Sequence, residues 1–193
     1  MKTTKFTKLA AVILALALAV SALVGVNVFA AEGADEGAAT ITNKNVDHGV
    51  ELALCFAVDA GTTEGTVYVL VWDWNYSGEY TLETAQQKKT ALFTDDVNGE
   101  TRQIFVADSV AARDIDAKIT FRTCIEKADG TCVYGAVESY SIIDYANQRL
   151  EEIPAIDSYT DVEKTEQINI CNAIIRYNEA AEAVLGKGAE PND

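Results

Sequence analysis

One histidine, His48, is all the imidazole in this 193-residue chain, and no nucleophile or acid stands in a recognisable frame around it. Ser-His-Asp and Cys-His arrangements therefore have no footing, nor does a histidine-built zinc site. No Gly-rich phosphate loop occurs, so nucleotide chemistry lacks its cradle. Positive charge is scarce: 15 Lys and Arg face 30 Asp and Glu, a net charge of −15. Nucleic acids and anionic membranes both need clustered cations, so neither is an expected partner. The four cysteines, Cys55, Cys124, Cys132 and Cys171, are too scattered for a metal knuckle. No catalytic residue, metal or cofactor is expected.

What is present begins with an address. Met1 to Lys8 carries three lysines and no acid, an apolar run follows from Leu9 to Val26, and the segment closes on Val28-Phe29-Ala30. A positive end, an apolar middle and a small-x-Ala exit form a secretory signal peptide over 1–30. A membrane-spanning helix is the alternative, since the run approaches the ~20 residues a bilayer needs. The acids just beyond it, Glu32, Asp35 and Glu36, favour cleavage. Removing those three lysines from the 15 bases leaves 12 against 30 acids, or −18, on 163 residues, enough for one domain. No second apolar run of spanning length follows, and the tail over 187–193 has no sorting motif. A secreted protein, extracellular or associated with the cell surface, is expected, with no membrane hold after cleavage.

Residues 31–47 read as a flexible acidic lead-in, poor in large apolar groups. A β-sandwich is expected over 48–140. Val50, Leu52, Leu54, Phe56 and Val58 alternate with Ala53, Cys55 and Ala57, a strand apolar on both faces and so covered on both. Thr66 to Trp74 repeats the pattern after a turn at Gly61 to Gly65. Asn98-Gly99 predicts a two-residue hairpin joining Thr90–Thr94 to Arg102–Ala107. Asp108 to Arg113 reads as a helical turn. Lys118–Glu126 and Thr131–Tyr140 form a second hairpin around Ala128-Asp129-Gly130, with Gly130 left-handed and Lys127 pairing Thr131. Six or seven short strands between turn signals suit an immunoglobulin-like β-sandwich.

Two helices are expected over 141–186, making the fold α+β. Ser141 and Asp144 form a capping box, Ile143, Ala146, Leu150 and Ile153 follow at helical spacing, and Pro154 stops the run. A second helix opens at Thr160 with Glu163 three residues on, and Gly186 ends it. Its broad apolar sector, from Ile168 and Ile170 through Tyr177 to Val184 and Leu185, predicts deep docking, with Ala53, Cys55 and Ala57 as the receiving face.

Three stretches carry a resemblance. Tyr140-Ser141-Ile142-Ile143-Asp144-Tyr145-Ala146 resembles the Tyr-Ser-Val-x-Asp-Tyr-Ala signature of an uncharacterised module in large extracellular proteins of gut Clostridia. Ala111-Ala112-Arg113-Asp114-Ile115-Asp116 is similar to that module's Ala-Ala-Lys-Asp-Met-x-Asp turn. Ile174-Ile175-Arg176-Tyr177-Asn178-Glu179-Ala180-Ala181 is similar to its Leu-Leu-x-Tyr-Gly-x-Ala-Ala helix, with Asn178 in place of the usual glycine. The resemblance spans about residues 105 to 185. It implies a secreted protein of a Gram-positive bacterium with a structural or binding role, and it transfers no catalytic residue.

The best candidate site is Trp72-Asp73-Trp74-Asn75-Tyr76-Ser77-Gly78-Glu79-Tyr80. Sugars lay their C–H faces on flat aromatic rings while carboxylates and amides take their hydroxyls. Trp74 and Tyr76, with Asp73 and Asn75, are the expected ligand contacts, and Trp72 is expected in the core. Asp96, Asn98 and Glu100 resemble the start of a calcium loop, but Thr101 and Ala107 stand where it needs Gly and a bidentate acid, so a plain hairpin is read instead. Cys124 and Cys132, eight apart, are candidates for a local disulfide with a diagonal cross-strand placement. The expected function is that of a non-catalytic binding or adhesive accessory protein with a glycan ligand. The alternative is a protein–protein interaction or structural module engaging another exported protein. A secreted hydrolase ranks third, because thirty acids supply a suitably spaced carboxylate pair by chance.

Overall fold

The computed structural model describes residues 33–48, 51–97 and 100–185. The leader over 1–30, Val50, the Asn98-Gly99 pair, Gly186 and the tail over 187–193 lie outside the described residues. Two antiparallel sheets and two C-terminal helices make up the fold. The first sheet runs in the order β1 (Thr40–His48), β2 (Leu52–Asp59), β6 (Glu100–Val106), β5 (Phe93–Val97). The second runs β4 (Gln87–Lys89), β3 (Thr66–Trp72), β7 (Ile119–Glu126), β8 (Cys132–Tyr134), and β9 (Glu138–Tyr140) also pairs with β7.

Alternation explains why these segments face as they do. Leu54, Phe56 and Val58 of β2 and Phe105 of β6 meet Val67, Val69 and Val71 of β3 and Phe121 and Ile125 of β7 in one core. Phe56 and Phe121 touch across the two sheets, ring centroids 4.6 Å apart. Truncating such a buried ring costs about 3–5 kcal/mol, so this pair anchors the two sheets to each other. Both hairpins have the expected registers. Val97 pairs Glu100, leaving two residues between the strands, although β5 starts at Phe93 rather than Thr90. In the second, Lys127 N donates to Thr131 O at 2.9 Å, and Gly130 has φ +83°, the left-handed value that favours glycine.

Three expectations need correction. Residues 40–47 are not a flexible lead-in, since β1 occupies them as an edge strand with Ala39, Asn45 and Val46 buried at it. The signal was hidden because β1 is mostly polar and its register shifts between Ile41 and Asn43, breaking the period of two. Second, the expected strand Thr131–Tyr140 is two short ones, β8 and β9, whose registers on β7 differ by one residue, although Gly135 N between them still donates to Thr123 O at 3.0 Å. Third, the helices do not cover Ala53, Cys55 and Ala57. Cys55 and Ala57 instead close a small separate cluster with Ile104 on the outer face of the first sheet.

The helices α1 (Ile142–Glu152) and α2 (Asp161–Leu185) close one end of the two-sheet core. The capping box of α1 forms as read: Asp144 N donates to Ser141 Oγ at 2.9 Å and Ser141 N to Asp144 Oδ2 at 3.0 Å. α1 buries Ile142, Tyr145, Ala146 and Arg149, one stripe at i, i+3, i+4 and i+7. Ile142, Tyr145 and Ala146 join Ile115, Val46 and Leu54 in the main core. α2 buries only Cys171, Ile174 and Asn178, so the deep docking expected of its apolar sector does not occur. A single helical turn at Ala112–Asp114 packs against it, close to the turn read over 108–113. Among the described residues no helix is long and apolar enough to cross a membrane.

Candidate functional site

At the end of β3 the chain turns, with Tyr76 N donating to Asp73 O at 3.0 Å. The segment that follows, residues 73–86, folds back over the outer face of the second sheet. Trp72 is the reason it stays there. Its ring is fully buried, its indole N–H donates to Thr84 O at 2.9 Å, and Tyr80 meets it edge-on at 5.1 Å. Arg122 pins the segment from β7: one Nη donates to Tyr80 O at 3.0 Å and the other to Gly135 O at 2.6 Å.

This packing divides the predicted aromatic cluster. Tyr76 is turned inward, 6.2 Å from Trp72 and 5.6 Å from Tyr80, and its hydroxyl donates to Glu79 O at 2.9 Å. The ring lies so close to Gly78 that a Cβ there would stand 2.3 Å from the hydroxyl oxygen. Half-buried, Tyr76 belongs to the packing under the segment and does not line the cavity described next. Asn75 sits exposed at the tip of the turn. Trp74 points the other way and is 59% exposed.

Trp74 and Asp73 line a cavity of about 230 Å³ together with Gln87, Asp108, Ser109 and Asp114. Val110, Ala117 and Ile119 are also among its lining residues. Gln86 fixes Asp73 by accepting from its backbone N–H and donating to its Oδ2 at 2.9 Å. Gln87 Oε1 accepts from Asp108 N at 2.9 Å, joining the β4 wall to the 108–111 loop. Lys89 pairs with Asp108, and Arg113 with Asp114 at 3.4 Å, so two of the three carboxylates have cationic neighbours. The result is one flat indole beside carboxylate, amide and hydroxyl groups. Among the described residues no group of three or more His, Cys, Asp or Glu is placed to hold a metal ion.

Sequence reasoning found Asp73 and Trp74 but missed Gln87, Asp108, Ser109 and Asp114. These come from two other segments, and only the pairing of β3 with β4 and the course of the 108–114 loop bring them to Trp74. The alternating Gln87-Lys88-Lys89 is too short to announce a strand.

The remaining candidates lie elsewhere. His48 ends β1 with its ring 6.2 Å from that of Tyr145, and loss of water around the imidazole holds its pKa below the ordinary value, against the pull of Asp47. Cys124 and Cys132 are free thiols in contact with each other, as are Cys55 and Cys171 free. The register gives the two the diagonal placement expected of them. Cys124 lies opposite Tyr134 and Cys132 opposite Glu126, so the two are diagonal neighbours. Such Cα atoms sit about 7–8 Å apart, beyond the about 4.4–6.8 Å that a disulfide spans. Burial, reinforced by the hydrogen bond with Cys132, pushes the Cys124 thiol up to about 12. Comparison with known proteins finds no matching family, no matching curated relative and no matching solved structure.

Proposed function

We propose that this chain is an exported, non-catalytic binding protein of a Gram-positive bacterium, and that the Trp74 cavity takes a glycan. The single observation that carries the reading is the contrast between the two tryptophans. Trp72 is spent on packing, while Trp74, two residues on, is left in solvent at the rim of a cavity rich in hydrogen-bonding groups. A lone exposed ring is ordinary on a protein surface, so the reading rests on the indole standing beside carboxylate, amide and hydroxyl groups in one cavity. The cavity is smaller than the roughly 300–1,000 Å³ of drug-sized sites, which suits one sugar ring at a time. An immunoglobulin-like sandwich is the proposed architecture. It is supported by the order β1-β2-β6-β5 opposite β4-β3-β7-β8, which follows the ABED and C′CFG arrangement of such sandwiches. The leader over 1–30 and the resemblance to extracellular modules of gut Clostridia support export.

The test is binding of residues 31–193 to an array of host and plant glycans, beside Trp74→Ala and Tyr76→Phe. A stacked ring contributes about 1.4 kcal/mol, or tenfold in affinity. Trp74→Ala is expected to lose at least that factor with folding intact, and Tyr76→Phe to bind as the native chain does. An array without hits, or hits that survive Trp74→Ala, overturns the reading. The protein-interaction alternative draws on a different surface, the outward face of α2.

A further inference from the structure

Helix α2 carries a second apolar face that the fold does not use. Ile170, Ala173, Tyr177, Ala180 and Val184 recur at spacings of 3, 4, 3 and 4 and all are exposed, Tyr177 by 55% and Val184 by 82%. This stripe lies beside the one that docks, Cys171, Ile174 and Asn178. Over fifteen residues it runs about 21 Å, at a rise of about 1.5 Å per residue. Its first half walls a groove of about 660 Å³, closed on the other side by Leu52 and the Ser109–Ala112 loop. Glu51 is the one ionisable acid on that wall, and Glu166 stands exposed where the stripe ends.

We infer that this groove, which shares the 109–111 loop with the Trp74 cavity but not its indole, is a docking site for a basic amphipathic helix of another protein. The wall is a helix, whose backbone groups are already bonded within itself, so it offers no edge to an extended peptide. A segment entering an apolar groove must then satisfy its own backbone, which a helix does. Ala173 and Ala180 alternate with Ile170, Tyr177 and Val184, leaving hollows between ridges for a partner's side chains. Charge sets the sign of the partner. The whole chain is at −15, and Asp161, Glu163, Glu166 and Glu179 outnumber Lys164 and Arg176 on α2. A helix flanked by Lys and Arg is attracted, whereas a second copy of this chain brings the same excess of acid to the contact.

The experiment uses the full chain and three fluorescein-labelled 18-residue peptides. One places Leu at i, i+3, i+4 and i+7 with Lys elsewhere, one scrambles that composition so that no apolar face forms, and one replaces Lys by Glu. Fluorescence anisotropy is expected to give the Leu/Lys helix at least tenfold tighter binding than either control. Tyr177→Asp and Ile170→Asp, both at exposed positions, are each expected to weaken it at least tenfold with circular dichroism unchanged, and Trp74→Ala to leave it alone. Equal binding of the scrambled peptide overturns the inference, as does indifference to both substitutions. A dimer in sedimentation that Tyr177→Asp dissociates also overturns it, by making a second copy the occupant.

Discussion

Arg149 has the least room for change of any charged residue described in this fold. It is 6% exposed on the inner stripe of α1, its Nη1 donates to Glu152 Oε2 at 2.9 Å, and the hydroxyls of Tyr145 and Tyr159 face it. A guanidinium in such a place is held by its partners, and removing one side leaves the other charge stranded. Arg149→Ala is expected to cost about 3 kcal/mol in urea denaturation. Arg149→Ala with Glu152→Gln should cost less than that single change, because the stranded carboxylate is then gone. A single-variant loss under about 1 kcal/mol would place the pair among surface ion pairs, which contribute little. Arg149→Lys is no rescue, since an ammonium cannot reach Glu152 and both tyrosines with one planar fork. Nothing in the sequence marks Arg149 as buried: it reads as an ordinary solvent-facing residue of α1 until Tyr159 folds back on it.

At the scale of elements, the tightest constraint is the break between β8 and β9. A Cβ on Gly135 would stand 2.0 Å from Thr123 Oγ1 and 2.8 Å from Ala39 O, two atoms already bonded to each other at 2.6 Å. Gly135→Ala must therefore displace a buried bond that ties β7 to the chain leading into β1. Overpacking of this kind costs about 1–3 kcal/mol, and a thermal melt of the variant is expected to fall accordingly. Gly130→Ala, in open space but at φ +83°, should lose only the smaller cost of left-handed backbone. Equal melting of Gly135→Ala and the native chain would mean that this contact is slack. These elements also show what a sequence reveals. The 126–132 turn and the capping box at Ser141 were legible because local chemistry alone decides them. β1 was not, because an edge strand that is largely polar depends on β2 for its pairing and leaves almost no period of its own. α2 was overread for the opposite reason. Its apolar sector is real, but the fold buries only Cys171, Ile174 and Asn178, with Ile168 and Ile175 half-buried against the core, and composition cannot say which part of a face finds a partner. The site divides similarly: Trp74 was legible as an aromatic at a strand end, while Asp108 and Asp114 reach it only through tertiary structure.

Over the whole molecule, several phenol and thiol groups are held in their neutral forms by burial, and alkali reads that burial directly. Loss of water pushes Tyr134 and Tyr145 up to about 12 and raises Tyr140 and Tyr159 as well. Cys55 and Cys124 also rise to about 12, each mainly by burial. In the unfolded chain tyrosine ionises near 10 and cysteine near 8.5. The folded state therefore keeps protons that the unfolded state releases, and unfolding gains free energy with every step of pH between those values. The stability these groups contribute is complete below pH ~8.5 and lost progressively as pH rises through about 12. Tyrosinate absorbance followed beside circular dichroism should show buried tyrosines ionising together with loss of structure. The thiols give the same answer by another route. At neutral pH a thiol reagent is expected to find the partly exposed Cys132 first, and Cys55, Cys124 and Cys171 only on unfolding. Smooth ionisation of all eight tyrosines near pH 10, with the fold intact, would show that α1 and the 73–86 segment do not exclude water from the rings they cover.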